Sequence, residues 1–246
     1  MDMNIVVLCQ KDNFVIPKNI SLLKQIEGIN VIGVFQIASE GALINKKGMF
    51  FRGFRLHQTF KLGCIFIFFY FLDILDVLFS YKFGFLKSPA AAAKYLDSNF
   101  YEVKNINSDK FKNLLIKENI DLIVSYSTPS ILKKSLLEIP KKGCINLHCS
   151  LLPKFSGLLP SFWTLYEEER FIGATIHFMD DKIDNGDILN QIKIPTPNNT
   201  SMYEVIKITK KLGGDLMLKT IREILSDQLE RKSNLQKEEY YRSWPD

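Results

Sequence analysis

The sequence predicts an α/β fold, an open and mostly parallel sheet flanked by helices, and three observations carry that expectation. Short apolar runs rich in β-branched residues recur along the chain, as in strands buried on both faces. Stretches with apolar residues at helical spacing separate them, which gives the strand–helix–strand rhythm of a parallel sheet. A length of 246 residues suits one large α/β domain, or such a domain with one elaboration.

The elements follow in order. NIVVLC, Asn4 to Cys9, is a continuous apolar run and reads as the first strand. PKNISLLKQIEG is helical and ends on Gly28, and NVIGVFQI, Asn30 to Ile37, is the second strand. DKFKNLLIKENI is an amphipathic helix and DLIVSYS, Asp121 to Ser127, a buried strand. TPSILKKSLLEIP reads as a short helix with Thr128 as N-cap and Pro129 at the first helical position. GCINLH is the next strand, and PSFWTLYEEE a helix opened by Pro160. ATIHFMD, Ala174 to Asp180, and DILNQIKI are further strands around a DNGD turn, and the segment from Thr200 to Leu225 supplies the last helices.

One region breaks the rhythm. Eleven of the 19 Phe lie between Phe50 and Phe85, in an insertion of about 48–88. Its centre, Leu62 to Phe79, is long enough for a membrane span. Asp73 and Asp76 argue against one, since each central carboxylate costs about 2.5–3.5 kcal/mol to insert. Three residues apart, they share a helix face and would give it a wet side. The expected arrangement is a helix packed under the sheet or in a homodimer contact. Association with a membrane surface through 62–79 is the other reading.

Composition narrows the function. Hydrophobic residues are 46% and charged residues 24% of the chain, an ordinary globular balance. The net charge of +5 comes without a long basic run, and no nucleic-acid motif is present, so no nucleic-acid partner is expected. Cys9, Cys64, Cys144 and Cys149 form no Cys-x-x-Cys pair, and the start MDMNIVVLCQKDN lacks a basic leader, which together suggest a reduced, cytoplasmic protein. No Gly-rich dinucleotide fingerprint follows the first strand. His57, His148 and His177 do not give metal-ligand spacing, so no metal is expected. His57 reads as solvent-facing or structural, and His177 as a buried, hydrogen-bonded residue.

The chemistry concentrates in CINLHCSLLPKFSG. Asn146 and His148 are two apart on a strand and project from one face, near the carboxyl end where open α/β sheets place ligands. Asp184 lies on a turn after a later strand and can approach His148 if the two strands are neighbours. An amide, an imidazole and a carboxylate suit acyl transfer to an amine. Asn146 donates to a developing oxyanion, His148 donates or takes the amine's proton, and Asp184 orients His148 or relays the proton through water. Cys149 beside His148 points to the opposite face, so it reads as packing.

NLHCSLLPKFSG followed by GATIHFMDDKIDNGDIL resembles the catalytic domain of the 10-formyltetrahydrofolate-dependent formyltransferases. The shared pattern is Asn-x-His, Ser-Leu-Leu-Pro with a Gly four residues on, then Thr-x-His and an Asp before x-Gly. It falls here on Asn146, His148, Ser150 to Pro153, Gly157, Thr175, His177, Asp184 and Gly186. The resemblance implies a Rossmann-like catalytic domain over 1–195, with helices of 196–246 packed on it. It implies Asn146, His148 and Asp184 as catalytic residues and N10-formyltetrahydrofolate as formyl donor. The pterin cleft would lie between Pro129, Ile131 and Leu132 on one loop and Met179, Asp180, Asp181 and Ile183 on another.

Glycinamide ribonucleotide enzymes resemble one another in a Gly/Ser-rich phosphate loop after the first strand, where CQKDNFVIPKN stands here. The additional C-terminal domain of the methionyl-tRNA enzymes and the N-terminal regulatory domain of the formyltetrahydrofolate hydrolases are not expected either. The expected acceptor is therefore a primary amine of a nucleotide-linked amino sugar. Hydrolysis, another amine such as methionyl-tRNA, and a silent ligand- or membrane-binding relative are the alternatives.

Overall fold

The computed structural model describes residues 2–38, 56–79 and 83–245, without the side chains of 56–59 and 62. Residues 48–55 and 80–82 of the expected insertion, and the His57 side chain, lie outside the described residues.

The first half runs β1 (Met3–Cys9), α1 (Ile16–Leu22), β2 (Ile29–Ile37), α2 (Leu56–Leu78), α3 (Pro89–Tyr95), β3 (Asn99–Val103), α4 (Asp109–Lys117), β4 (Leu122–Tyr126) and α5 (Lys134–Leu137). The second runs β5 (Cys144–His148), β6 (Ser156–Gly157), α6 (Pro160–Tyr166), β7 (Phe171–Phe178), β8 (Ile188–Pro195), α7 (Met202–Leu225) and β9 (Tyr241–Arg242). Seven strands form one sheet in the order β3-β2-β1-β4-β5-β7-β8. The first five are parallel, and β7 runs antiparallel to both of its neighbours, β5 and β8. The chain winds outward from β1 to β3 and returns to β4, so the order reverses between β1 and β4. The carboxyl edge beside that reversal is where such sheets bind ligands.

Alternation along each strand sorts side chains onto two buried faces. Ile5, Val7, Leu122, Val124, Ile145 and Leu147 join α1 and α7 in one core cluster. Val6, Leu8 and Ile123 face the other cluster, with Phe111 and Leu115 of α4. Both faces are covered, which is why β1 and β4 read as unbroken apolar runs. Helix starts follow their caps: Ser108 Oγ accepts from Phe111 N, and Ser201 and Glu204 form a reciprocal capping box on α7.

Several elements differ from the sequence reading. The segment expected to be one helix from Thr128 is a loop as far as Lys133, and α5 has four residues. Thr128 Oγ1 lies 2.9 Å from Ser125 Oγ, and Asn107 bonds both the Ile131 carbonyl and the Lys133 N–H. Those partners hold the backbone extended and leave Thr128 no capping role. The last helices are a single 24-residue helix, continuous through Gly213 and Gly214. A Cβ at Gly213 would run into Leu147, and one at Gly214 into Asn19, so the pair serves close packing of α7 rather than a break. β3 is an edge strand with alternating exposure, too polar to stand out by apolar run.

Helix α2 does not pack under the sheet. It lies at the carboxyl edge, where Phe14, just after β1, meets Phe66 and Phe69 edge-on at 4.8 and 5.5 Å. The aspartate face is its inner face, not a wet one: Asp76 is fully buried and Asp76 Oδ2 accepts from Leu86 N (3.1 Å). Among the described residues no helix is long and apolar enough to cross a membrane.

Candidate active site

A polar row crosses the carboxyl half of the sheet in register. Ser125 on β4, Asn146 on β5 and His177 on β7 are direct strand partners. Ser125 Oγ donates to Asn146 Oδ1 (2.8 Å), which fixes the amide so that Nδ2 faces His177 Nε2 at 3.2 Å. The Phe178 carbonyl lies 2.7 Å from His177 Nδ1, so that nitrogen carries the proton. His177 Nε2 faces one Asn146 N–H. No described residue accepts the other, and Asn146 is half-buried.

Two residues on, His148 projects from the same face and is 6% exposed. Its Nε2 donates to the Phe155 carbonyl (2.8 Å), and its Nδ1 lies 3.4 Å from Asp184 Oδ2. Asp184 Oδ1 is 3.5 Å from His177 Nε2. One carboxylate thus bridges two imidazoles, and the second imidazole holds Asn146. Gly157 N donates to Asp184 Oδ2 (2.8 Å), and Asn234 and Gln236 bind the Asp184 carbonyl from the far end of the chain. Burial pushes the Asp184 carboxyl up. The charge of His148, the hydrogen bond and charge of His177 and the Gly157 N–H outweigh it and hold the carboxyl well below its usual range.

The backbone is shaped for this convergence. Asp184, Phe155, Ser127 and Leu159 all adopt left-handed φ, between 48° and 58°. Such values in non-glycine residues are uncommon and cluster at functional sites. Gly157 sits at φ 96°, and a Cβ there would strike the Arg242 carbonyl and the Tyr241 ring. Glycine lets β6 pair with β9 while its N–H reaches Asp184.

Asn146, His148 and Asp184 therefore meet, with His177 between the first and the last. On the two loops of the expected cleft, Leu132 is buried and Met179 packs against the same core cluster. Ile131 and Ile183 are exposed at 58% and 43%, and Pro129 and Asp181 are exposed too. Asp180 organises its own loop by accepting from Lys182 N and Asn185 Nδ2. Met179 N donates to the Cys144 carbonyl, at the opposite end of β5 from His148. Met179 also lines a cavity of about 470 Å³ there with Lys142, Cys144, Phe178 and Arg231, away from Asn146. Cys149 is no nucleophile: burial raises its thiol pKa, and a thiolate there is disfavoured. Among the described residues no group of three or more His, Cys, Asp and Glu is arranged to hold a metal ion.

Ser125, Asn234 and Gln236 were not singled out in the sequence, and Gly157 only as a position of the family pattern. Ser125 could have been found once β4 and β5 were paired in register. Asn234 and Gln236 lie in an aperiodic tail that carries no such signal.

Comparison with known proteins fits this geometry. A family model described as formyl transferase matches residues 83–221. A methionyl-tRNA formyltransferase from Clostridium tetani is 39% identical over 132 residues, 54% of this chain and 43% of that protein. The chain thus spans less than half the length of that relative. In fold, it is similar to glycinamide ribonucleotide transformylase 1 from Symbiobacterium toebii (TM-score 0.67, 14% identity, 95% of this chain and 92% of that one). A formyltransferase from Anoxybacillus kamchatkensis, solved with UDP-4,6-dideoxy-4-formamido-L-AltNAc and tetrahydrofolate, is 25% identical with a TM-score of 0.51. That match covers 59% of this chain and 75% of the other.

Proposed function

This chain belongs to the formyl transferase family, and from that premise we propose that it moves a formyl group from N10-formyltetrahydrofolate to a primary amine. The observation that carries the proposal is the bridge of one carboxylate between two imidazoles, with the Asn146 amide fixed beside it. The donor supplies an activated one-carbon unit. The two loops around Ile131 and Ile183 offer exposed apolar side chains to a flat ring, and Asn146 keeps an N–H for an oxyanion.

In the transfer, the amine nitrogen forms a bond to the formyl carbon and the bond from that carbon to N10 breaks. One proton passes from the amine to N10, so atoms and charge balance. Asn146 Nδ2 donates to the formyl oxygen as negative charge gathers there. His148 supplies positive charge at the same point, or accepts the amine's proton. Asp184 holds His148 and His177 in place and connects that proton to water at the mouth of the site. The gain comes in the transition state rather than in ground-state binding. Four free cysteines are consistent with a reducing, cytoplasmic setting.

The acceptor we favour is an amino sugar linked to a nucleotide. Its support is the Anoxybacillus formyltransferase, solved in complex with a UDP-linked formamido sugar. A phosphate loop after β1 is closed off by the chain itself. Asp12 Oδ1 accepts from Phe14, Val15 and Ile16 N–H at 2.8–3.1 Å, so the amides that could grip an anion are already used. The Clostridium relative favours a second reading, methionyl-tRNA. The deciding experiment supplies 10-formyltetrahydrofolate with a UDP-linked 4-amino sugar, with methionyl-tRNA, or with no acceptor, and follows tetrahydrofolate and formate. We expect turnover with the amino sugar alone. Turnover only with methionyl-tRNA would reassign the acceptor, and acceptor-independent formate release would make the protein a hydrolase.

A further inference from the structure

Helix α2 exposes an apolar surface that the formyl-transfer site does not use. Phe60, Ile67, Phe68, Phe71, Ile74 and Leu78 are 38–75% exposed, and among the described residues nothing covers them. Plotted on a helix, the exposed positions span roughly 220°, with Tyr70 and Lys61 as the polar members. The remaining strip, around Phe69, Leu72 and Asp76, faces the protein. A two-stranded coiled coil needs only a narrow seam flanked by charges. Here the flanks, Val77 on one side and Phe68 on the other, are apolar as well, so a second copy of α2 would leave much of the arc in water.

Charge identifies the occupant. Residues 46–87 carry seven Lys and Arg against two Asp, and both Asp lie on the inner strip. The rest of the chain balances at 25 basic and 25 acidic residues, so the whole excess of +5 belongs to this segment. Lys61 is exposed beside the apolar arc near one end of α2. An apolar helix face beside an exposed lysine, in a segment that holds the chain's whole charge excess, fits an anionic lipid surface, which takes the aromatic side chains among its acyl chains and the ammonium groups at its headgroups.

We propose that α2 docks this protein on an anionic lipid bilayer, lying in the interface without crossing it. Asp73 and Asp76 stay out of the lipid because they face the protein. Phe14 ties α2 to the carboxyl edge of the sheet, the edge that carries Asn146 and His148, so docking sets the site beside the membrane. The inference does not depend on which amine accepts the formyl group.

The test is sedimentation of the full chain with vesicles of phosphatidylglycerol and phosphatidylcholine, against vesicles of phosphatidylcholine alone. We expect partitioning to the anionic vesicles stronger by roughly tenfold or more, and lost by a similar factor in the Ile67→Glu/Phe71→Glu variant with formyl transfer unchanged. A single Leu78→Glu variant gives an independent reading should the double variant misfold. No partitioning of the wild type, equal partitioning of wild type and variants, or a wild-type dimer without vesicle binding that Ile67→Glu/Phe71→Glu makes monomeric would each overturn the proposal.

Discussion

At the scale of the residue, Asp184 carries the clearest pH signature. Its carboxyl is held below the ordinary carboxylate range in the folded chain. Between the depressed folded value and the unfolded value of about 3.9, the unfolded chain binds more protons. The stabilisation from Asp184 is therefore complete above about pH 4 and is lost as pH falls through the folded value. Urea midpoints measured between pH 2 and 5 should fall more steeply with acid for the wild type than for Asp184→Asn. Parallel curves would show that the carboxylate is not held by its imidazoles. Asn146 and His148 were legible in the sequence because strand alternation alone puts them on one face. Asp184 was legible through the spacing of the family pattern. His177 was readable as buried and hydrogen-bonded, which it is, at 2% exposure. Its place between Asn146 and Asp184 was not readable, because that depends on the antiparallel register of β5 with β7.

At the scale of the element, short contacts between backbone and glycine or capping side chains decide where loops go. Gly157→Ala combines a positive φ with a collision against Arg242, and should cost at least about 1–2 kcal/mol. It should also lower turnover, since the Gly157 N–H holds Asp184. Denaturant unfolding and steady-state rates check both, and an unchanged midpoint would remove the strain argument. Asp12 and Lys210 form an ion pair of 2.9 Å with side chains only 9% and 12% exposed. Lys210→Met should cost about 3 kcal/mol, because it strands a buried carboxylate at the start of α1. Calorimetric melting would show the loss, and a neutral result would mean that the three backbone N–H groups suffice. The sequence missed such pairings because Asp12 and Lys210 are almost 200 positions apart. It misplaced the helix start at Thr128 for a related reason: Asn107, from another loop, takes the backbone groups that local propensity assigns to a helix.

At the scale of the whole molecule, the sheet delivers a polar row to one edge and fills both faces with apolar side chains. The buried strands of its centre, β1, β2, β4 and β5, were plain in the sequence as apolar runs. Edge strand β3 and the β6–β9 pair were not, because short or half-exposed strands depend on partners that local pattern does not name. Helix α2 was visible as a helix, while the burial of its aspartates and the exposure of its phenylalanines follow only from where it docks. The account rests on the amide and imidazole of β5 acting on a formyl group in transit. Its most direct measurement is single-turnover transfer from N10-formyltetrahydrofolate to an amine acceptor by the wild type, Asn146→Ala and His148→Ala, with tetrahydrofolate Kd and circular dichroism measured alongside. The expected result is a loss of roughly 10²–10³-fold for Asn146→Ala and roughly 10²–10⁴-fold for His148→Ala. Both variants should remain folded, with Kd within about threefold of the wild type. Transfer at near wild-type rates in both folded variants would contradict it.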